Sequence, residues 1–186
     1  LSDCLFSSPD VTPEAKGEAY KTLVLGILLY GSESWALTQK SWSKLRAFHN
    51  QCVRRMCRTT THQQWKSHIR NSTLRCRLRV EEIEVYVYRR QLAWLGDISR
   101  MPMDRMPRVL LSAWVAADRP AGGQKYSYAK GMLAALTFAG IATDTRTVSE
   151  NWPALALAAD KASWNAMCDN LGLYHSRLSP EARGAA

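Results

Sequence analysis

The chain has 186 residues, of which 46% are hydrophobic, with seven Trp and a formal net charge of +9. That hydrophobic fraction supports a packed core and is too high for an intrinsically disordered chain. The longest apolar run, Leu23 to Tyr30, is too short to span a bilayer. Five Cys with no CxxC pair argue for reduced thiols rather than a disulfide scaffold. The N-terminus has no basic n-region of a signal peptide, which predicts an intracellular protein, nuclear or cytoplasmic. Its first residue is Leu rather than Met, as expected of a piece of a longer reading frame.

Residues 1–11 read as loop. Thr12-Pro13-Glu14 is a helix start: a hydroxyl cap, Pro at the first helical position and an acid in the first turn. The helix is predicted to run to about Tyr30, its second half buried on most sides, and to stop at Gly31. Cut away from a larger protein, its apolar face becomes a solubility liability. Thr38 or Ser41 caps a second helix over about 41–57, with Leu45, Phe48, Cys52 and Met56 as its apolar stripe. Residues 59–64 read as a polar linker. Trp65 and Ile69 are expected to anchor a short helical turn, and Ser72 to cap a helix ending at Leu78. Glu81 to Arg100 carries the clearest helical pattern, through Val85, Tyr88, Leu92 and Leu95, and Pro102 ends it. Asp104 is placed to cap a helix through Trp114. Pro120-Ala121-Gly122-Gly123 is a flexible joint. Beyond it, Ser127 to Ala139 reads as a helix closed by Gly140, and Thr147 to Leu171 as one or two more.

The fold class is therefore all-α, an irregular bundle of about six to eight helices. The predicted division is a basic helical region over 1–116, a linker over 117–126, a small Ala-rich helical region over 127–175 and a tail over 176–186.

Charge is concentrated. Residues 40–108 hold 16 Lys/Arg against five Asp/Glu, a net +11, while the rest of the chain is slightly acidic. Such a block attracts polyanions, nucleic acid first and an anionic membrane surface second. The candidate phosphate contacts are Lys44, Arg46, Arg54, Arg55 and Arg58 on the second helix, Lys66 and Arg70 after it, and Arg89, Arg90, Arg100 and Arg105 further on. The competing reading of such runs is a solvated helix face, with Arg89 and Arg90 paired to Glu82, Glu84 or neighbouring helices.

Catalytic chemistry is not legible. There is no Asp-Asp pair, nucleophilic triad or phosphate-cradling Gly loop. Cys52, Cys57, His62 and His68 have a loose finger-like order, but zinc sites favour tighter knuckle spacing, and Cys52 lies on an apolar stripe. A Cys–His nucleophile pair has nothing to orient it. Trp35 and Trp94 read as core, Trp42 and Trp65 as core or base-stacking residues, and His49 as a surface or packing residue.

Leu28-Leu29-Tyr30-Gly31-Ser32-Glu33-Ser34-Trp35, then Leu45, Arg46, Phe48, Cys52, Arg54 or Arg55, and Met56, follow a recognisable order. Arg89, Arg90, Leu92, Trp94, Leu95, Gly96, Arg100, Met101, Arg105 and Pro107 continue it. Lys16 and Tyr20 precede it, and Leu157-Ala158-Ala159-Asp160-Lys161-Ala162-Ser163-Trp164 closes it. The series resembles the region downstream of the polymerase core in reverse transcriptases of non-LTR, LINE-type retrotransposons. Asp97 stands where that family has His, Lys161 where it has Arg, and its "GRP" element is reduced to Arg119-Pro120-Ala121-Gly122-Gly123. These departures fit a divergent or decaying copy.

The resemblance implies a thumb and the helices after it, gripping an RNA and DNA template–primer with no cofactor of its own. Palm and fingers would lie upstream, with the catalytic aspartates and Mg²⁺. Two other readings remain: a stand-alone, non-specific RNA- or DNA-binding helical module, and a decayed, inactive copy.

Overall fold

The computed structural model describes residue 6 and residues 8–112, 128–141 and 160–172. It is all-α: the described residues hold eight α-helices of six residues or more and no strand. None of these helices is long and apolar enough to cross a membrane. The linker expected at 117–126, the tail at 176–186, Trp114 and residues 147–159 lie outside the described residues. By contacts the chain divides into two compact units, one of Leu1–Tyr30 with Thr38–Tyr86, the other of Gly31–Leu37 with Val87–Ala186.

The first unit opens with α1 (Pro13–Ala19), where Thr12 accepts from the Ala15 amide at 3.3 Å as expected of the cap. The helix continues with widened π-type hydrogen bonding over Tyr20–Leu25 and closes in a short turn, α2 (Gly26–Leu28). Gly31 follows with φ +70°, a left-handed stop that a side chain would strain. The expectation that this second half is buried on most sides is corrected. Tyr20, Leu25 and Leu29 are buried, but Leu23, Ile27 and Tyr30 are exposed, Ile27 to 82%. Local hydrophobicity counts apolar residues, and only packing decides which of them find neighbours.

α3 (Gln39–Met56) is capped by Thr38, whose side chain accepts from Ser41 N. Its buried face is Trp42, His49, Val53 and Met56, whereas Phe48 of the expected stripe is exposed. The supposed linker is partly helical. α4 (Thr61–Lys66) opens with a capping box in which Thr60 and Gln63 satisfy each other's amides. Trp65 does not anchor it, being 75% exposed. α5 (Asn71–Leu78) begins two residues earlier than a Ser72 cap would give and has no side-chain cap.

Three helices, α3, α4 and α5, end on non-glycine residues in the left-handed region: Arg58, His68 and Arg79, with φ near +50°. In each, the next amide reaches back five residues: Thr59 to the Arg54 carbonyl, Ile69 to Gln64, and Val80 to Arg75. This closure satisfies orphan carbonyls at the cost of strain at the positive-φ residue. α1 packs on α3 and α5. Gly17 permits the α5 contact, because a Cβ there would overlap the Leu78 carbonyl oxygen and lie 2.9 Å from its carbon.

α6 (Ile83–Arg100) realises the clearest pattern in the sequence, and its residues 87–100 belong to the second unit. Val87, Leu92, Leu95 and Ile98 are buried, while Trp94 is only half-buried. The other described helices of this unit are α7 (Met106–Ser112), α8 (Tyr128–Phe138, closed at Gly140 with φ +72°) and α9 (Lys161–Asp169). Asp160 caps α9 by accepting from Ala162 N and Ser163 N.

α9 lies antiparallel on α6. Arg89 donates to the carbonyls of Cys168 and Asp169 at 3.0 and 3.1 Å, fixing one end. Trp164 Nε1 donates to the Leu92 carbonyl at 2.9 Å in the middle. Its ring sits against Gly96, where a Cβ would overlap Nε1 and lie 2.6 Å from Cδ1. Lys161 joins Asp97 and Arg100 at the other end.

The two sequence motifs at 31–35 and 89–96 also meet. Buried Gln91 donates from Nε2 to the carbonyls of Ser32 (3.3 Å) and Trp35 (3.0 Å), and Arg90 pairs with Glu33 at 3.5 Å.

Candidate nucleic-acid interface

A helix places residues three, four and seven apart on one side. On α3, Lys40, Lys44, Gln51 and Arg55 follow steps of four, seven and four, with Arg54 beside them. This ridge lies opposite the buried face of Trp42, His49, Val53 and Met56, because the two sets are about half a helical turn apart at 100° per residue. Lys44 and Arg55 are exposed and Arg54 is half-buried. Lys44, Arg54, Arg58, Lys66 and Arg70 make no ion pair or side-chain hydrogen bond among the described residues. Arg77 and Arg79, which sequence reasoning did not select, are likewise exposed at the end of α5.

Other cations, the candidates Arg46, Arg89, Arg90 and Arg100 among them, have protein partners. Arg46 pairs with Glu84 and lies over the Trp42 ring, 5.9 Å from its centroid. Arg75 pairs with Glu82 at 2.6 Å. In the second unit Arg89 holds the C-terminal carbonyls of α9, Arg90 faces Glu33, and Arg100 pairs with Asp97 at 2.9 Å. Arg105 is exposed. Arg108 is 7% exposed and donates to the Ile98 and Ser99 carbonyls at the end of α6, where a cation suits the helix dipole. Pairing of this kind is invisible in composition, because it depends on which acid the fold delivers.

Beneath the α3 ridge lies a buried polar relay. The Glu81 carbonyl can only accept, so His49 Nε2 donates to it at 3.0 Å, and His49 Nδ1 accepts from the Tyr20 hydroxyl at 3.0 Å. Burial lowers the His49 pKa to about 4 and raises that of Tyr20. Both ring nitrogens are thus occupied, and His49 is not available as a base for Cys52. The Cys52 and Cys57 thiols are themselves pushed up by burial, and Cys168 to about 11, the opposite of an activated nucleophile. No three His, Cys, Asp or Glu side chains come together as a metal-binding group among the described residues.

Lys16 and Tyr20 are internal supports: Lys16 is 4% exposed and donates to the Ser8 carbonyl at 2.6 Å.

No protein-family model and no solved structure matches this chain. Over 107 residues, 58% of its length, it is 27% identical to a Caenorhabditis elegans protein described as transposon-derived and uncharacterized. The match covers 37% of that protein, so the chain corresponds to well under half of this relative. The similarity points to a transposon-related origin.

Proposed function

We propose that this chain is the thumb and post-thumb part of a non-LTR retrotransposon reverse transcriptase. In this reading it holds an RNA–DNA template–primer by the phosphates. An upstream palm and fingers would bind Mg²⁺ and carry out nucleotidyl transfer, and this piece supplies no catalytic group. The observation that carries the reading is the basic ridge of α3, exposed opposite the helix's buried face. A ridge of Lys and Arg suits backbone contacts without sequence readout, since phosphate contacts position and base contacts specify. The transposon-derived relative, of which this chain matches only part, and the ordered motif series support the same assignment.

The test is binding of an RNA–DNA hybrid duplex across a salt series, with Arg54→Ala/Arg55→Ala alongside. Each lost phosphate contact lowers the log–log salt slope by about 0.9, so the double variant should flatten it by nearly two. Weak binding that ignores salt and the substitutions would leave the ridge a solvated surface.

A further inference from the structure

The N-terminal end of α9 and the C-terminal end of α6 enclose an open cleft of about 560 Å³, lined by Asp97, Arg100, Met101, Pro102, Arg105, Pro107 and Lys161. Three cations face one acid. Lys161 comes from the nearly neutral end of the sequence and reaches the cleft because Trp164 seats on Gly96 and Arg89 fixes the far end of α9. Arg105 is exposed beside it. Arg100 gives one guanidinium nitrogen to Asp97, while its Nη1 is buried with no hydrogen-bond partner among the described residues. A buried unsatisfied cationic donor is costly unless a ligand or water completes it. Met101, Pro102 and Pro107 give the cleft an apolar side.

We infer that this cleft binds an unpaired nucleotide of a single-stranded nucleic acid. Arg100, Arg105 and Lys161 take the phosphodiester, and the base lies against Met101, Pro102 and Pro107. The charge calls for an anion, the apolar side for a flat hydrophobic group attached to it, and the concave shape for a base free of its duplex. Asp97 competes with the phosphate for Arg100. The inference deepens the nucleic-acid reading above, but it uses residues away from the α3 ridge and a different probe.

The test uses the full chain, a fluorescent ten-nucleotide single-stranded oligouridine, and inorganic phosphate as competitor. Arg105→Ala/Lys161→Ala is expected to weaken oligonucleotide binding on the order of tenfold. The charge-matched pair Lys21→Ala/Arg77→Ala should weaken it much less. Asp97→Asn is expected to tighten binding more than Asp104→Asn, which removes the same charge outside the cleft lining. Inorganic phosphate at matched ionic strength should compete poorly, because it lacks the base. Full competition by phosphate would reduce the site to a bare anion hole and overturn the nucleotide assignment. Equal shifts for the cleft pair and its control, or for Asp97→Asn and Asp104→Asn, would overturn the site itself. Hybrid-duplex binding by Arg54→Ala/Arg55→Ala is run in parallel. Loss there with none at the cleft rejects only the cleft, and the reverse rejects only the ridge.

Discussion

Gly96→Ala tests whether α9 is seated as described. The new Cβ would overlap Trp164 Nε1 and lie 2.6 Å from Cδ1, where carbon atoms rest at about 3.5–4.0 Å. The ring must therefore retreat by about 1 Å. That motion breaks the 2.9 Å bond from Nε1 to the Leu92 carbonyl and leaves a buried indole donor unsatisfied, at about 1–3 kcal/mol. Overpacking of a residue that is 3% exposed adds about 1–3 kcal/mol. Alanine returns about 1 kcal/mol of helix propensity. The net expectation is about 1–5 kcal/mol of destabilisation in the second unit. Because the units need not unfold together, the readout is hydrogen exchange of α6 and α9 amides with the Trp164 indole resonance. Trp164→Ala should cost a similar amount, and the double variant less than the sum. A Gly96→Ala chain more stable by about 1 kcal/mol, with its indole resonance unmoved, would show that propensity alone acts there and that α9 does not rest on Gly96.

His49 predicts an acid-side loss of stability. The folded chain holds it neutral down to about pH 4, whereas the unfolded chain protonates near 6.5. Its contribution is therefore complete above pH 6.5 and declines as pH falls to about 4, by up to about 3 kcal/mol. Urea midpoints across that window measure this, and His49→Gln should flatten the slope. Arg89→Ala removes the two donors that hold the end of α9. It should cost the second unit about 1–2 kcal/mol in denaturant melts while changing the salt slope of nucleic-acid binding less than Arg54→Ala. Arg79→Gly relieves a left-handed residue at φ +51° and should raise thermal stability of the first unit by up to about 1 kcal/mol. A loss instead would mean that the Arg79 side chain contributes more than the strain.

The sequence by itself determined the all-α class, the cap at Thr12, the stops at Gly31 and Gly140, and α6 to within two residues, and it left the cap of α3 open between Thr38 and Ser41; each of these depends on residues within one or two turns of one another. It also located the excess positive charge, since charge is additive along a chain. It placed the short helical turn at Trp65 and Ile69 and missed the start of α4, a reciprocal Thr60–Gln63 capping box without an apolar run behind it. It misjudged the faces of α1–α2 and α3, because burial depends on which helix arrives from elsewhere. Only the tertiary structure decided which cations are spent on Glu33, Glu82, Glu84 and the carbonyls of α9, and that Lys44 and Arg54 make no such pair among the described residues. It alone joined Gln91 to the 31–35 turn and carried Lys161 to Arg100, 61 residues away in sequence. Pairings at that separation leave no local periodicity for a sequence to show. They are set by packing two faces together, as where the missing Cβ of Gly96 admits Trp164.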